Sequence, residues 1–213
     1  MSSERVLLLA NGTPPSATLI HKRVADCSCL IVVDGAAETA ISLGLEPHIV
    51  CGDFDSLPEH ARTRLSTAEW IQLEDQDMAD LEKAVLLAIE RGAAEITVLG
   101  ATGGRMDHTL VNCSMLLHYS RKLSIKLEDD LSSIYAITGQ VQFDLVTKPG
   151  DTVSLAIFEP SVVSLYGVKW PLKNTSITPG TFAVSNVAID NRVKLSVEAG
   201  NVILCHLPLG GNT

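Results

Sequence analysis

The chain has 213 residues, with 16 Lys plus Arg against 25 Asp plus Glu and a formal net charge of −9. That balance excludes a dedicated non-specific nucleic-acid binder, which needs a basic face to neutralise phosphates. Hydrophobic residues make up 46% and charged residues 19%, which excludes a disordered chain, and the length suits two compact units of common domain size. No apolar run approaches the ~20 residues of a membrane span. Met1-Ser2-Ser3-Glu4-Arg5 passes directly into Val6-Leu7-Leu8-Leu9 without a cleavage pattern, so a cytoplasmic protein with no membrane partner is expected. Cys27, Cys29, Cys51, Cys113 and Cys205 form no CxxC or zinc-ligand pair and read as reduced, buried small residues.

Over residues 1–129, short β-branched apolar runs alternate with amphipathic stretches, the pattern of βαβ units around a mainly parallel sheet. The expected strands are Val6–Ala10, Leu30–Val33, Ile49–Cys51, Trp70–Leu73, Glu95–Leu99 and Ser124–Leu127. The strongest helix spans Met78–Arg91, where Leu81, Ala84, Val85, Ala88 and Ile89 recur at helical spacing and Gly92 supplies a stop. After Asp129-Asp130 no helical period appears. Residues 130–213 instead show strand-like runs at Ile134–Ile137, Val153–Phe158, Val162–Leu165, Phe182–Ala188, Val193–Val197 and Val202–Leu207, separated by Pro-Gly and other Gly-containing turns. An α/β domain followed by an all-β sandwich is therefore expected, with the boundary near residue 129.

In an open parallel sheet, ligands bind beyond the carboxyl ends of the strands. Leaving the expected strands, the chain enters Asn11-Gly12, Asp34-Gly35, Gly52-Asp53-Phe54-Asp55-Ser56, Asp75-Gln76-Asp77-Met78-Ala79-Asp80 and Gly100-Ala101-Thr102-Gly103-Gly104-Arg105-Met106-Asp107-His108. Acid and glycine thus concentrate on one edge. Asp53 and Asp55, at i and i+2, share a side in an extended backbone and suit Mg²⁺, a hard cation that takes carboxylate, water and phosphate oxygens. A turn in which Asp55 and Ser56 bond their own backbone, or Ser56 capping a helix that opens at Pro58, is the competing explanation. Asp77 as N-cap and Asp80 in the first helical turn are explained by capping and the macrodipole; Asp75 adds a third acid whose crowding favours a cation.

The Gly100–His108 turn offers backbone N–H groups and Arg105 to a phosphate. Its order matches neither a P-loop nor a dinucleotide fingerprint, and a plain Gly-rich connector capped by Asp107 is the alternative. His108 reads as a structural hydrogen-bonder or an acid–base group. In the β half, Trp170 within Gly167-Val168-Lys169-Trp170-Pro171-Leu172 is either core or a stacking platform for a flat heterocycle.

Taken jointly, Gly52–Ser56, Asp75–Asp80 with Lys83-Ala84, Gly103–His108 with Asn112, and Gly167–Leu172 together with Ser185-Asn186 resemble thiamin pyrophosphokinases over nearly the whole chain. The resemblance implies an α/β nucleotide- and Mg²⁺-binding catalytic domain (1–129) and a β-sandwich thiamin-binding and dimerisation domain (130–213). It further implies a homodimer and Mg²⁺-dependent transfer of a diphosphate from ATP to thiamin, giving thiamin diphosphate and AMP. By resemblance, Asp53, Asp55 and Asp80 hold the metal, with Asp77 beside them as a fourth catalytic acid. The nucleotide falls to Asp34, Gly35, Thr102, Gly103, Gly104, Arg105, Asp107 and His108, and thiamin to Asn112, Trp170, Ser185 and Asn186, the Trp and Ser-Asn region contributing across the dimer interface. The chain departs from the family at Ala79, usually Thr, at Gln76, often Lys, and at Ala36, usually Gly. A Mg²⁺-dependent nucleotide hydrolase or phosphotransferase with another acceptor, and a non-catalytic nucleotide-binding regulator, are the alternatives.

Overall fold

A computed structural model describes residues 4–55, 57, 60–73, 75 and 77–212; the Ser56–Pro58 cap and Gln76 lie outside the described residues. Two compact units emerge, Met1–Asn112 with Leu123–Asp129 and Cys113–Lys122 with Asp130–Thr213. Among the described residues no helix is long and apolar enough to cross a membrane.

The first unit runs β1 (Glu4–Leu9), α1 (Ala17–Asp26), β2 (Cys29–Val33), α2 (Ala36–Ser42), β3 (Ile49–Gly52), α3 (Ala61–Arg64), β4 (Glu69–Gln72), α4 (Asp80–Glu90), β5 (Ala93–Leu99), α5 (Met106–Tyr119) and β6 (Ser124–Glu128). Residues of α5 from Cys113 onward group with the second unit. Every pairing among β1 to β6 is parallel, in the order β6-β5-β1-β2-β3-β4. Runs such as Leu7-Leu8-Leu9 and Leu30-Ile31-Val32 are buried throughout, as expected where a parallel sheet is covered on both faces. On one face Leu7, Leu9, Leu30 and Val32 pack with Leu19 and Ile20 of α1 and Ala36, Ala37 and Ala40 of α2. Each fully buried Leu or Ile contributes roughly 1.5–3 kcal/mol. The Ser16 hydroxyl opens α1 by accepting from the Leu19 N–H at 3.3 Å.

Chain order along the sheet reverses between β1 and β5. Succession runs outward from β1 through β2 and β3 to β4 on one side, whereas β5 and β6 lie on the other. This is a topological switch point, where open α/β sheets leave a crevice at their carboxyl edge.

The second unit is a sandwich. One sheet has the order β12-β9-β14-β7, with β7 (Ser133–Thr138), β9 (Thr152–Ala156), β12 (Asn186–Val187) and β14 (Asn201–Leu207). The other has the order β11-β10-β13-β8, with β8 (Val141–Val146), β10 (Ser161–Tyr166), β11 (Leu172–Ile177) and β13 (Arg192–Ala199). All pairings are antiparallel, and the core is made by Val153, Leu155, Val202 and Leu204 facing Val163, Leu165, Val193 and Leu195. The expected α/β-plus-sandwich class is thus observed. The strand pattern differs in two respects. Phe182–Ala188 yields only β12, because Ser185 sits at φ +62° and breaks the extended backbone. The runs at 141–146 and 172–177 carry strands that the pattern did not suggest; Gln142 and Asp144 in β8 and Lys173, Asn174 and Ser176 in β11 are exposed.

Candidate active site

At the switch point the β1–β5 ladder continues beyond both strands. Ala10 N–H donates to Leu99 O and Gly12 N–H to Gly100 O, each at 2.8 Å, and Thr13 N–H to Thr102 O at 3.3 Å. The two strand-end loops therefore run side by side. A side chain at Gly103, whose φ is +77°, would put its Cβ 2.6 Å from the Thr13 hydroxyl, so the close approach requires glycine. The loops open a cavity of about 830 Å³, within the range of small-ligand sites.

Asp34, Asp53, Asp55, Asp75 and Asp80 line it, with Lys83, Arg105 and His108, and so do Gly103, Gly104 and Asn112. Gly35, Asp77, Thr102 and Asp107 are not on its wall. Thr102 donates to Asp129 at 3.0 Å, and the Asn112 side-chain amide donates to Ala101 O at 2.8 Å, pinning α5 to the glycine turn. Asn11, Gly12, Thr13, Pro14 and Met78 also line the cavity, none of them a site residue expected from the sequence. Their signal was positional: Asn11 and Gly12 succeed the first strand as the acids succeed the others.

Local backbone geometry sets the acids. Asp34 is buried, with φ +39°, immediately after β2, and its N–H donates to Cys51 O at 2.8 Å. A Cβ at Gly52 would stand 2.8 Å from that of Asp34. Asp53 and Asp55 do not alternate along an extended strand, as the sequence pattern suggested. Phe54 between them has φ +67°, and Asp53 Oδ1 accepts from the Asp55 N–H at 3.1 Å. The resulting turn still brings both acids to the cavity, with the Phe54 ring against Trp70 at 5.3 Å and the Arg62 guanidinium 4.8 Å from Trp70. Asp75 Oδ1 accepts from the Asp77 N–H at 2.8 Å. Ala79, not Asp77, is the N-cap of α4, and it provides no side-chain cap bond. Capping therefore does not explain Asp77, while Asp80 does fall in the first helical turn, where its charge suits the helix dipole.

Lys83 is 7% exposed and bonds to Asp80 Oδ1 at 2.6 Å, Asp75 O at 3.0 Å and Leu73 O at 3.2 Å. Arg105 is exposed and forms a two-pronged pair with Asp107 at 3.1 and 2.5 Å, whose bonds hold the Asp107 carboxyl down to about 2. The Cys51 thiol beneath the acids is pushed up to about 12 by burial and is no nucleophile.

Five carboxylates against Lys83 and Arg105 make the cavity hostile to a bare polyanion. An all-oxygen donor set is what a hard divalent ion takes. Among the described residues no three acids, histidines or cysteines form a ready-made ion cage. Mg²⁺ ordinarily uses one or two protein carboxylates and completes its shell with water and phosphate oxygens, and the aspartates fit that role.

Two family models match the chain in order: the catalytic domain of thiamin pyrophosphokinase over residues 20–127 and its vitamin B1 binding domain over residues 139–202. The chain belongs to the thiamin pyrophosphokinase family. Among relatives, thiamine pyrophosphokinase of Bacillus subtilis (strain 168) is 31% identical over 182 residues, covering 82% of this chain and 85% of its own. Thiamin pyrophosphokinase 1 of Caenorhabditis elegans is 30% identical, covering 97% and 90%. The crystal structure of the Bacillus subtilis thiamine pyrophosphokinase superposes with a TM-score of 0.84 at 27% identity, over 96% of this chain and 99% of that one. The catalytic-domain match of the thiamin pyrophosphokinase family takes in Asp34, Asp53, Asp55, Asp80 and Arg105. The vitamin B1 match takes in Trp170, Ser185 and Asn186, all in the second unit. Ala79 falls at the α4 N-cap and leaves that helix without a side-chain cap.

Proposed function

We infer that this chain catalyses diphosphate transfer from ATP to the hydroxyl of thiamin, giving thiamin diphosphate and AMP, with Mg²⁺ in the acidic cavity and a homodimer as the working form. The observation that carries this reading is the cavity itself. Five aspartates and a glycine turn converge at the switch point of a chain that matches both thiamin pyrophosphokinase domains. We assign residues 1–129 to nucleotide, metal and catalysis, and 130–213 to thiamin and dimerisation. Five free cysteines suit a reducing compartment, and we place the enzyme in the cytoplasm.

In the reaction the thiamin hydroxyl oxygen bonds to the β-phosphorus of ATP. The bond from that phosphorus to the oxygen bridging the α-phosphorus breaks, AMP leaves with that oxygen, and the hydroxyl proton passes to a carboxylate. Asp53, Asp55 and Asp80 would hold Mg²⁺, which when bound neutralises phosphate charge. The backbone N–H groups of Gly103 and Gly104 and the Arg105 fork hold phosphate oxygens, and Asp107 aims that fork. Asp34, Gly35, Thr102 and His108 frame the nucleotide, and Asn112 fixes the glycine turn against α5. Asp77 stands off the cavity wall, so the lining acids are better placed to take the proton. Trp170, with Ser185 and Asn186 beside it, forms the thiamin side. Alignment of the two reactants contributes much of the rate.

Purified protein with ATP, Mg²⁺ and thiamin should form AMP, and none when thiamin or the metal is omitted. ADP, or nucleotide cleavage without thiamin, would overturn the reading in favour of a hydrolase or another phosphotransferase. Asp53→Ala and Asp55→Ala should each lower turnover by several orders of magnitude with an unchanged circular-dichroism spectrum; full activity in either would remove that residue from the metal set.

A further inference from the structure

In the second unit, residues 167–170 run antiparallel to 186–189. Ile189 N–H donates to Gly167 O at 2.9 Å, Lys169 N–H to Val187 O at 2.8 Å, and Val168 bridges Ala188. At Trp170 the backbone pairing gives way to a side chain. Asn186 Oδ1 accepts from the Trp170 N–H at 3.1 Å, and Asn186 Nδ2 donates to the Trp170 carbonyl at 2.7 Å. The same Oδ1 accepts from the Val187 N–H at 2.9 Å.

Both acceptor sites of the Asn186 amide oxygen are thereby filled. Asn186 is 7% exposed, whereas Trp170 is 55% exposed. The Lys169 ammonium lies over the Trp170 ring, 4.7 Å from its centroid, and so occupies one face of the indole. A large aromatic side chain left in water costs apolar exposure that burial would have recovered. Here its backbone is clamped at both polar groups and one of its faces is covered, which leaves the opposite face presented to solvent.

We propose that Asn186 is a positioning residue for Trp170 and does not itself touch substrate: its amide clamps the Trp170 main chain so that the uncovered indole face is held ready for a flat heteroaromatic ring. The proposal rests on the reading of Trp170 as the stacking surface for thiamin. Asparagine suits the task by its chemistry. Aspartate keeps the acceptor but turns an oxygen toward the Trp170 carbonyl, alanine removes both bonds, and glutamine overreaches by one methylene.

The chain has two tryptophans, so protein labelled with 5-fluorotryptophan should show two ¹⁹F resonances, assignable with Trp170→Phe. Asn186→Ala should shift or broaden the Trp170 resonance and leave that of Trp70 in place. It should raise the thiamin KM about tenfold through the loosened indole, with the ATP KM unchanged, and it should add nothing to Trp170→Ala. If Asn186→Ala loses its native circular dichroism, Asn186→Asp, of the same size but with an anionic oxygen in place of the donor, carries the same test. A raised thiamin KM with an unmoved Trp170 resonance, or additive losses in the double variant, would mean direct contact with substrate and overturn the proposal. Trp170→Ala with an unchanged thiamin KM would instead overturn the stacking reading, while the ¹⁹F resonance would still decide whether Asn186 holds Trp170.

Discussion

Lys83 spends its charge inside the protein. Its ammonium has three protons and three protein acceptors, the carbonyls of Leu73 and Asp75 and the Asp80 carboxylate, so these three residues converge on one cation. That arrangement fixes where Asp75 and Asp80 stand and offsets the mutual repulsion of the cavity acids. Lys83→Met should therefore lower kcat/KM for ATP by about 100-fold, the scale of a 1 Å misplacement in a catalytic site. It should also destabilise the fold by about 2–3 kcal/mol, because hydrogen bonds to charged groups are lost. Lys83→Arg should not rescue activity, since a planar fork cannot reach three acceptors disposed around a point. Kinetics with a parallel thermal melt checks both, and a Met variant of ordinary activity would show that the acids are placed without it. Individual acids were legible in the sequence because the sheet edge collects them. The means of holding them was not: the left-handed backbone of Phe54 and the bond from the Asp77 N–H to the Asp75 carboxylate are local features that residue type alone does not reveal.

Helix α1 and strand β6 are tied by one ionic cluster. Arg23 donates from Nε and Nη2 to Glu128 at 2.7 and 2.6 Å, and Lys126 lies 3.2 Å from the same carboxylate, which is 2% exposed. Burial pushes the Glu128 carboxyl up, but the Arg23 bonds and the charge of Lys126 outweigh it and hold it below its ordinary range. A carboxyl that binds its proton less readily when folded stabilises the protein above the ordinary carboxylate range and loses that share as pH falls. Glu128→Gln should cost about 3 kcal/mol at neutral pH, the low end for a broken buried pair because Arg23 keeps some access to water. The loss should shrink as pH falls from about 5, so urea unfolding at pH 7 and at pH 4 should give a smaller difference at pH 4. An equal loss at both would show that packing, not charge, is what Glu128 contributes. At this scale the sequence was most legible where one pattern dominated. The parallel strands stood out as apolar runs, and the stripe of α4 by its period. β8 and β11 were hidden because one face is solvated and Asn174 interrupts β11 at φ +45°. α1 was hidden because only Leu19 and Ile20 are fully buried in it.

For the molecule as a whole, the second unit leaves apolar side chains exposed near Trp170. Phe182 is 70% exposed, and Val184 and Ile189 are also uncovered. Asn186 and Ile189 hydrogen-bond to Trp170 and Gly167, which places this segment against the Trp170 strand end. Single exposed apolar residues are ordinary, but several on one short segment mark an interaction surface. A second copy of the chain is the partner that the homodimer reading supplies, and a platform exposed on one side would gain its second wall from it. Sedimentation equilibrium should then give about twice the 22.8 kDa of the chain. Phe182→Asp with Ile189→Asp should shift the protein toward monomer and raise the thiamin KM with little change in the ATP KM, since the acidic cavity is built within the first unit. A dimer unaffected by both changes would place its interface elsewhere. Dissociation with both KM values intact would mean that the thiamin site is complete in one chain, and the exposed face of Trp170 would then need no partner to finish it.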